Sequence, residues 1–224
     1  MIGYIVAMEK EAKELLKIMD VQKEQVVAGK KFYIGELFDK TSIIGVAGIG
    51  KVNAAFTTQL LIDKFAPKCI INFGVAGGKE NSGLNMGDFV LLKQICQYDF
   101  DLSEIDDVSI GYMQDYDTVY YKTAFELYTG NKFALCTGAS GDRFTNNPYF
   151  LNIIKELGAQ VVDMESGAIA QVCVANNVHL IAVKLISDVD GKEGSIFDQY
   201  EGNVVTLSAQ FPLVLKEVVT NMNI

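Results

Sequence analysis

The stretch "HLIAVKLIS" (residues 179–187) is apolar at nearly every position, and "CIINFGVAG" (69–77) and "TSIIGVAG" (41–48) read the same way. A strand with one face in water alternates apolar and polar residues, so a near-continuous apolar run needs cover on both faces. Further short runs rich in apolar and β-branched residues follow: "IGYIVA", "KFYIGEL", "DFVLLKQI", "KFALCTGAS" and "AQVVDM". Between them stand segments with helical spacing: "EKEAKELLKIM", "KVNAAFTTQLLIDKF", "PYFLNIIKELG", "ESGAIAQVCVANN" and the long "NVVTLSAQFPLVLKEVVTNM". Strands alternating with helices predict an α/β fold, a three-layer sandwich with a central mixed β-sheet flanked by helices. Pro148 suits the first turn of a helix and Gly158 a helix stop, while Pro212 predicts a kink or break in the last helix.

The 224 residues suit one domain, 1–224, with no linker, repeat or low-complexity segment. Half the residues are hydrophobic, yet no apolar stretch approaches the roughly 20 residues that span a bilayer. The start "MIGYIVAMEKEAKELL" has neither the basic opening nor the cleavage site of a signal peptide, so a cytoplasmic protein is expected. A formal charge of −9 disfavours nucleic acid and anionic membranes as partners. Cys69, Cys96, Cys136 and Cys173 are scattered without a CxxC pair and read as reduced core thiols rather than disulfides or a zinc site. The single histidine, His179, reads as the start of a strand and cannot alone build a histidine metal centre.

Two glycine-rich turns follow strands. "GVAGIGKV" (45–52) nearly spells the phosphate-cradling GxxxxGK[ST] pattern but ends in Val52, where a hydroxyl should hold magnesium. "FGVAGGKENSG" (73–83) lacks dinucleotide-fingerprint spacing. Each still brings backbone N–H groups to a strand end, where α/β proteins bind ligands. The stretch 98–130 is tyrosine-rich, acidic and weakly periodic, and reads as a long excursion of the kind that is usually functional or mobile. "VVDMESGAIAQVC" (161–173) places Asp163 and Glu165 just past an apolar run, where a carboxylate is costly unless something uses it.

Taken in order, "AMEKE", "AGIGKVNAA", "NFGVAGG", "VVDMESGAIA" and "LISDVDG" make the chain resemble the 5′-methylthioadenosine/S-adenosylhomocysteine nucleosidases of the nucleoside phosphorylase superfamily. The resemblance covers nearly the whole chain and weakens over roughly 100–130. It implies a nucleoside phosphorylase-like fold and hydrolysis of an N-glycosidic bond between adenine and a 5′-thio-ribose, with no cofactor and no metal. Glycosidic cleavage passes through an oxocarbenium-like sugar, so a catalyst must protonate the departing base, stabilise the cation and activate water. By motif, Asp188 is the implied general acid toward N7 of adenine and Glu11 the implied base for water. Glu165 would hold the ribose hydroxyls with Met164 packed on the sugar, and Phe144 and Thr145 would stack on adenine and read its edge. Phe197, after "GKEGSI", corresponds to an aromatic in a lid. The same motifs extend the substrate site to Ile49, Val75, Ala76, Gly77, Asp163, Lys184 and Ser187. Members are homodimers, and Leu102 and Ile105 are the expected contribution to the partner's pocket. Three positions depart from the family pattern: Asp163 where Glu is usual, Lys184 where Arg is common, and Val75 where Ser is frequent.

Elementary chemistry is compatible with these roles. Carboxylates in one water-poor cleft can be driven to different pKa values, one serving as acid and another as base. Asp188, directly after a buried strand, is expected to be held protonated, and Glu165, at a helix start, ionised. Blander readings remain beside these: Glu11 as a first-turn helix acid, Asp188 as a cap, Glu165 as part of a cap arrangement. Competing functions are a purine nucleoside phosphorylase, a hydrolase of another 6-aminopurine nucleoside such as 5′-deoxyadenosine or aminodeoxyfutalosine, and a non-catalytic nucleoside sensor. Of 19 basic residues only Arg143 is an arginine, which disfavours a bidentate grip on phosphate.

Overall fold

The computed structural model describes residues 1–80, 82–191 and 195–224. The chain begins with β1 (Ile2–Val6), α1 (Glu9–Ile18), β2 (Asp20–Val27), β3 (Lys30–Leu37), β4 (Lys40–Val46), α2 (Lys51–Phe65), β5 (Cys69–Gly78) and β6 (Phe89–Gln97). It continues with α3 (Ser103–Asp106), β7 (Tyr121–Lys122), β8 (Ala134–Ser140), α4 (Pro148–Glu156), β9 (Val161–Asp163), α5 (Ser166–Ala175), β10 (His179–Val189), α6 (Ile196–Ser208) and α7 (Phe211–Thr220). The strands form one mixed sheet with helices on both faces. Successive side chains of a strand point to opposite faces, and the packing follows. Ile5, Ile43 and Ile70 join Ala54 and Leu61 of α2 and Ile169 of α5. Their neighbours Tyr4, Ile44 and Ile71 join Ala12 and Leu15 of α1 and Phe211 and Leu215 of α7. Full burial of each isoleucine, leucine or phenylalanine among them stabilises the fold by about 1.5–3 kcal/mol.

β5 is the fork of the sheet. One edge pairs in parallel with β10 from Cys69 to Gly78. The other is shared: β1 takes Cys69–Asn72, and β9 takes Gly77 and Gly78. From β1 the sheet runs through β4 and β3 to the edge strand β2, and from β10 it returns through β6, β8 and β9 to β5. Between the β1 and β9 pairings, no described strand takes that edge of β5. The N–H of Val75 is therefore free for a side chain, and this opening holds the candidate site.

The structure departs from the sequence expectations in three places. The polar segment "DVQKEQVV" forms β2, mostly exposed and paired only with β3, so it carries no apolar signal. The stretch 98–130 is folded onto the body rather than being a free excursion. Tyr98 and Tyr121 are buried, Tyr121 pairs with Ile95, and Tyr120 donates its hydroxyl to the Leu157 carbonyl at 2.9 Å. Its tyrosines supply the apolar area that its weak periodicity hides. The last helical pattern starts earlier than expected, at Ile196 rather than Asn203, while the expected break is present: α6 ends at Ser208 and Pro212 sits in the first turn of α7. Pro148 and Gly158 stand at the start and just past the end of α4, and His179 opens β10. The four cysteines are free and buried. Among the described residues no helix is long and apolar enough to cross a membrane.

Candidate active site

Strand ends converge where β5 forks, and four segments bring carboxylates there. Glu11, in the first turn of α1, accepts the Met8 N–H at 3.0 Å on one oxygen and the Val75 N–H at 2.9 Å on the other. It is thus both a helix-start acid and a pocket carboxylate. Glycine on β5 makes room for close approach: a Cβ at Gly74 would lie 3.0 Å from Glu11 Oε1 and one at Gly77 3.0 Å from Asp188 Oδ2, so the carboxylates would have to give way. Asp188, near the end of β10, accepts the Ser187 hydroxyl at 2.7 Å. Glu165 immediately precedes α5, and its Oε1 accepts the Gly50 N–H at 2.8 Å, where α2 begins.

Asp163 performs the capping that its spacing suggested for Glu165. It accepts the backbone N–H and hydroxyl of Ser166, the hydroxyl of Ser140 and, from Lys184, an ion pair at 2.7 Å. Burial by itself would raise the Asp163 pKa, but the Lys184 ammonium and the hydroxyls hold it below its ordinary value. Glu165 moves the other way, to about 7, chiefly because burial disfavours its charge and Asp163 repels it. Helix position suggested a firmly ionised Glu165; at about 7 the group instead stands between its charged and neutral forms near neutral pH, because desolvation opposes a helix dipole whose effect is at most about 2 kcal/mol. Burial also raises Glu11, opposed by the Val75 N–H and by Lys184, and raises Asp188, opposed by Ser187.

These groups open into a cavity of about 300 Å³. Of the positions singled out in the sequence, Glu11, Ile49, Val75, Ala76, Gly77, Phe144, Asp163, Met164, Glu165, Ser187, Asp188 and Phe197 line it. Thr145 lines an adjoining recess of about 40 Å³ that Phe144, Gly77 and Asp188 share. Lys184 lies behind the wall, 2 % exposed, and reaches the cavity only through Asp163 and its field. Leu102 and Ile105 do not line it; Ile105, on α3, is 77 % exposed. Phe144 packs on Phe197 and on Tyr200, ring centroids 4.9 and 5.5 Å apart, forming an aromatic cluster at the mouth. Of "GKEGSI", Lys192, Glu193 and Gly194 lie outside the described residues.

Sequence reasoning missed Ala7, Met8, Val162, Tyr200 and Glu201, which also line the cavity. The first three lie within motifs already quoted, "AMEKE" and "VVDMESGAIA", and were findable. Tyr200 and Glu201 sit in a polar helical stretch with no motif, and only the packing of α6 places them. The near-match to a phosphate loop is structural: Lys51 pairs with Asp99 at 2.6 Å, and Glu165 occupies the Gly50 N–H.

Lys184→Met is expected to leave the buried Asp163 carboxylate without its cation and to cost about 3–5 kcal/mol of stability, read by urea denaturation. Lys184→Arg keeps the charge and should hold stability and activity level or raise it. A folded Lys184→Arg protein with collapsed activity would mean that the pocket is built around an ammonium.

Fold and site together define a class: this is a phosphorylase-superfamily protein, and the model of that superfamily matches residues 1–220. The 5′-methylthioadenosine/S-adenosylhomocysteine nucleosidase of Oceanobacillus iheyensis is 34% identical over 209 residues, 89% of this chain and 91% of its own. The Neisseria meningitidis enzyme of the same name, solved with methylthio-immucillin-A, superposes with a TM-score of 0.87 at 26% identity, covering 99% of both chains. A futalosine hydrolase of Helicobacter pylori superposes with a TM-score of 0.88 at 25% identity, covering 99% of this chain and 97% of its own. The chain belongs to the 5′-methylthioadenosine/S-adenosylhomocysteine nucleosidase family.

Proposed function

We propose that the chain is an N-glycosyl hydrolase that cleaves 5′-methylthioadenosine and S-adenosylhomocysteine to adenine and the 5′-thio-ribose, working in the cytoplasm in methionine salvage. One observation carries the choice of hydrolysis. The described residues lining the cavity include five acids, Glu11, Asp163, Glu165, Asp188 and Glu201, and no lysine or arginine. Even with Asp188 protonated and Asp163 paired to Lys184, such a lining offers a phosphate dianion no cation, while its ionised carboxylates favour a cationic sugar. Arg143, the sole arginine, is exposed and stacks its guanidinium 4.4 Å from the centroid of the Phe150 ring.

In this reading Asp188 protonates N7 of the departing adenine, its raised pKa keeping a proton available. Glu11, held by two backbone N–H groups, orients water and takes its proton. Glu165 accepts the ribose hydroxyls, Met164 packs on the sugar, and Phe144 stacks on the base with Phe197 and Tyr200 closing over it. The futalosine hydrolase likeness favours a second reading, hydrolysis of aminodeoxyfutalosine. Adenine release is the test, over methylthioadenosine, S-adenosylhomocysteine, 5′-deoxyadenosine and aminodeoxyfutalosine, with and without phosphate. Release from methylthioadenosine at a rate indifferent to phosphate supports the proposal. Phosphate-dependent release with the correspondingly 5-substituted ribose 1-phosphate as product, or no release, overturns it.

The active form in this proposal is a homodimer with Leu102 and Ile105 entering the partner's pocket. Ile49, Val52, Phe56 and Ile105 are exposed apolar groups, and Ile49 also lines the cavity; a second copy would cover them. Changing Leu102 and Ile105 together to Asp should shift sedimentation toward monomer and raise KM more for long apolar 5′ groups than for short ones. A wild-type monomer at micromolar concentration with full activity would overturn the shared site.

A further inference from the structure

The parallel register of β5 and β10 sets Gly77 beside Asp188 and Gly78 beside Val189. The residues just past each strand, Lys79 and Asp190, form an ion pair, each side chain only 15% exposed. Asp190 N–H also donates to the Gly78 carbonyl at 3.1 Å. Asp190 thus stands two residues past Asp188 and Lys79 two past Gly77, both just beyond the paired strands. Lys79 and Asp190 line the recess of about 40 Å³ together with Asp188. With Ile196 they also line the outer cleft of about 710 Å³, so they stand between the recess and that cleft.

Resting on the reading of Asp188 as general acid, we infer that Lys79 and Asp190 are positioning residues whose paired charges set how firmly Asp188 holds its proton. Neither lines the main cavity, and the role assigned to each acts through Asp188 rather than on the reacting atoms. The other charged groups lining the main cavity and the recess are Arg143, Asp163, Glu11, Glu165 and Glu201, with the Tyr200 phenol, and the outer cleft adds Glu80 and Lys155. Arg143 is turned onto Phe150 and Asp163 is neutralised by Lys184, which leaves the Lys79–Asp190 pair as the charge closest in sequence and register to Asp188. After burial, which raises the Asp188 pKa, and the Ser187 hydroxyl, which lowers it, Asp190 pushes it up and Lys79 opposes that push.

Intact, the two charges largely cancel; broken singly, they act in opposite directions. Lys79→Met leaves an unpaired carboxylate, disfavours ionisation of Asp188 and moves its titration to higher pH. Asp190→Asn leaves an unpaired ammonium and moves it to lower pH. The double variant should return close to wild type. Carbon-13 aspartate titration of the ligand-free protein, with Asp188→Asn identifying the resonance, reads these shifts without reference to turnover. In the same variants, kcat/KM on the descending, high-pH limb should change by about threefold or more, up for Lys79→Met and down for Asp190→Asn.

The inference fails if both single variants move the Asp188 titration the same way or not at all while thermal unfolding shows them folded. A change in KM alone, with the titration unmoved, would make the pair only a wall of the recess and also overturns it. Should a single variant not fold, the milder Lys79→Gln and Asp190→Ser carry the same opposite-sign test. Adenine release by the wild type is scored separately: if it is absent while the titration shifts appear, the nucleosidase proposal falls and the electrostatic coupling stands.

Discussion

Glu11→Gln is expected to keep the fold and nucleoside binding and to lower adenine release about 10²–10⁴-fold, the usual cost of losing a general base. The amide has nearly the shape of the carboxylate, but it cannot take a proton from water. It also offers one acceptor where Glu11 accepts two N–H groups, from Met8 and Val75. One of those donors then faces an NH₂ group, which adds a stability cost of about 1–3 kcal/mol. Rate and stability must therefore be measured together, turnover by adenine release and folding by thermal melting. Near-normal turnover in the purified variant would reduce Glu11 to a helix-start acid and remove the main support for water activation.

Asp188→Asn is expected to cost a similar factor, about 10²–10⁴, for the opposite reason. The Ser187 hydroxyl can still donate to the asparagine oxygen, so the local hydrogen bond at Asp188 survives. What disappears is the acidic proton. The loss should be largest for substrates whose base must be protonated to leave and smaller for a nucleoside whose base departs as a stable anion. A rate that stays unchanged for methylthioadenosine, or falls equally for both kinds of leaving group, would argue that Asp188 shapes the recess without donating a proton. The two variants together separate water activation from base departure, because each removes one side of the same glycosidic displacement.

The alternation of apolar strands and helices was legible in the chain because burial on both faces of a sheet demands near-continuous apolar runs, as in β5 and β10. Strand β2 was not, since an edge strand exposed to water needs no such run. The fold of 98–130 was hidden because its buried groups, Tyr98, Met113, Tyr121, Thr123 and Tyr128, are spaced without a helical or strand period. Several site residues were legible by motif, and the structure brings Glu11, Glu165 and Asp188 to one cavity. Sequence alone also gave the departures at Asp163 and Lys184, but not their relation. These residues are distant in sequence, and only the closure of the sheet through β9 and β5 puts a carboxylate on one strand within 2.7 Å of an ammonium on another. Protonation was likewise decided by tertiary structure. Position at a helix start suggested a charged Glu165, yet burial and the neighbouring Asp163 raise it to about 7. Local sequence determines which groups stand at strand ends, while desolvation and charge pairing depend on what the rest of the chain packs around them.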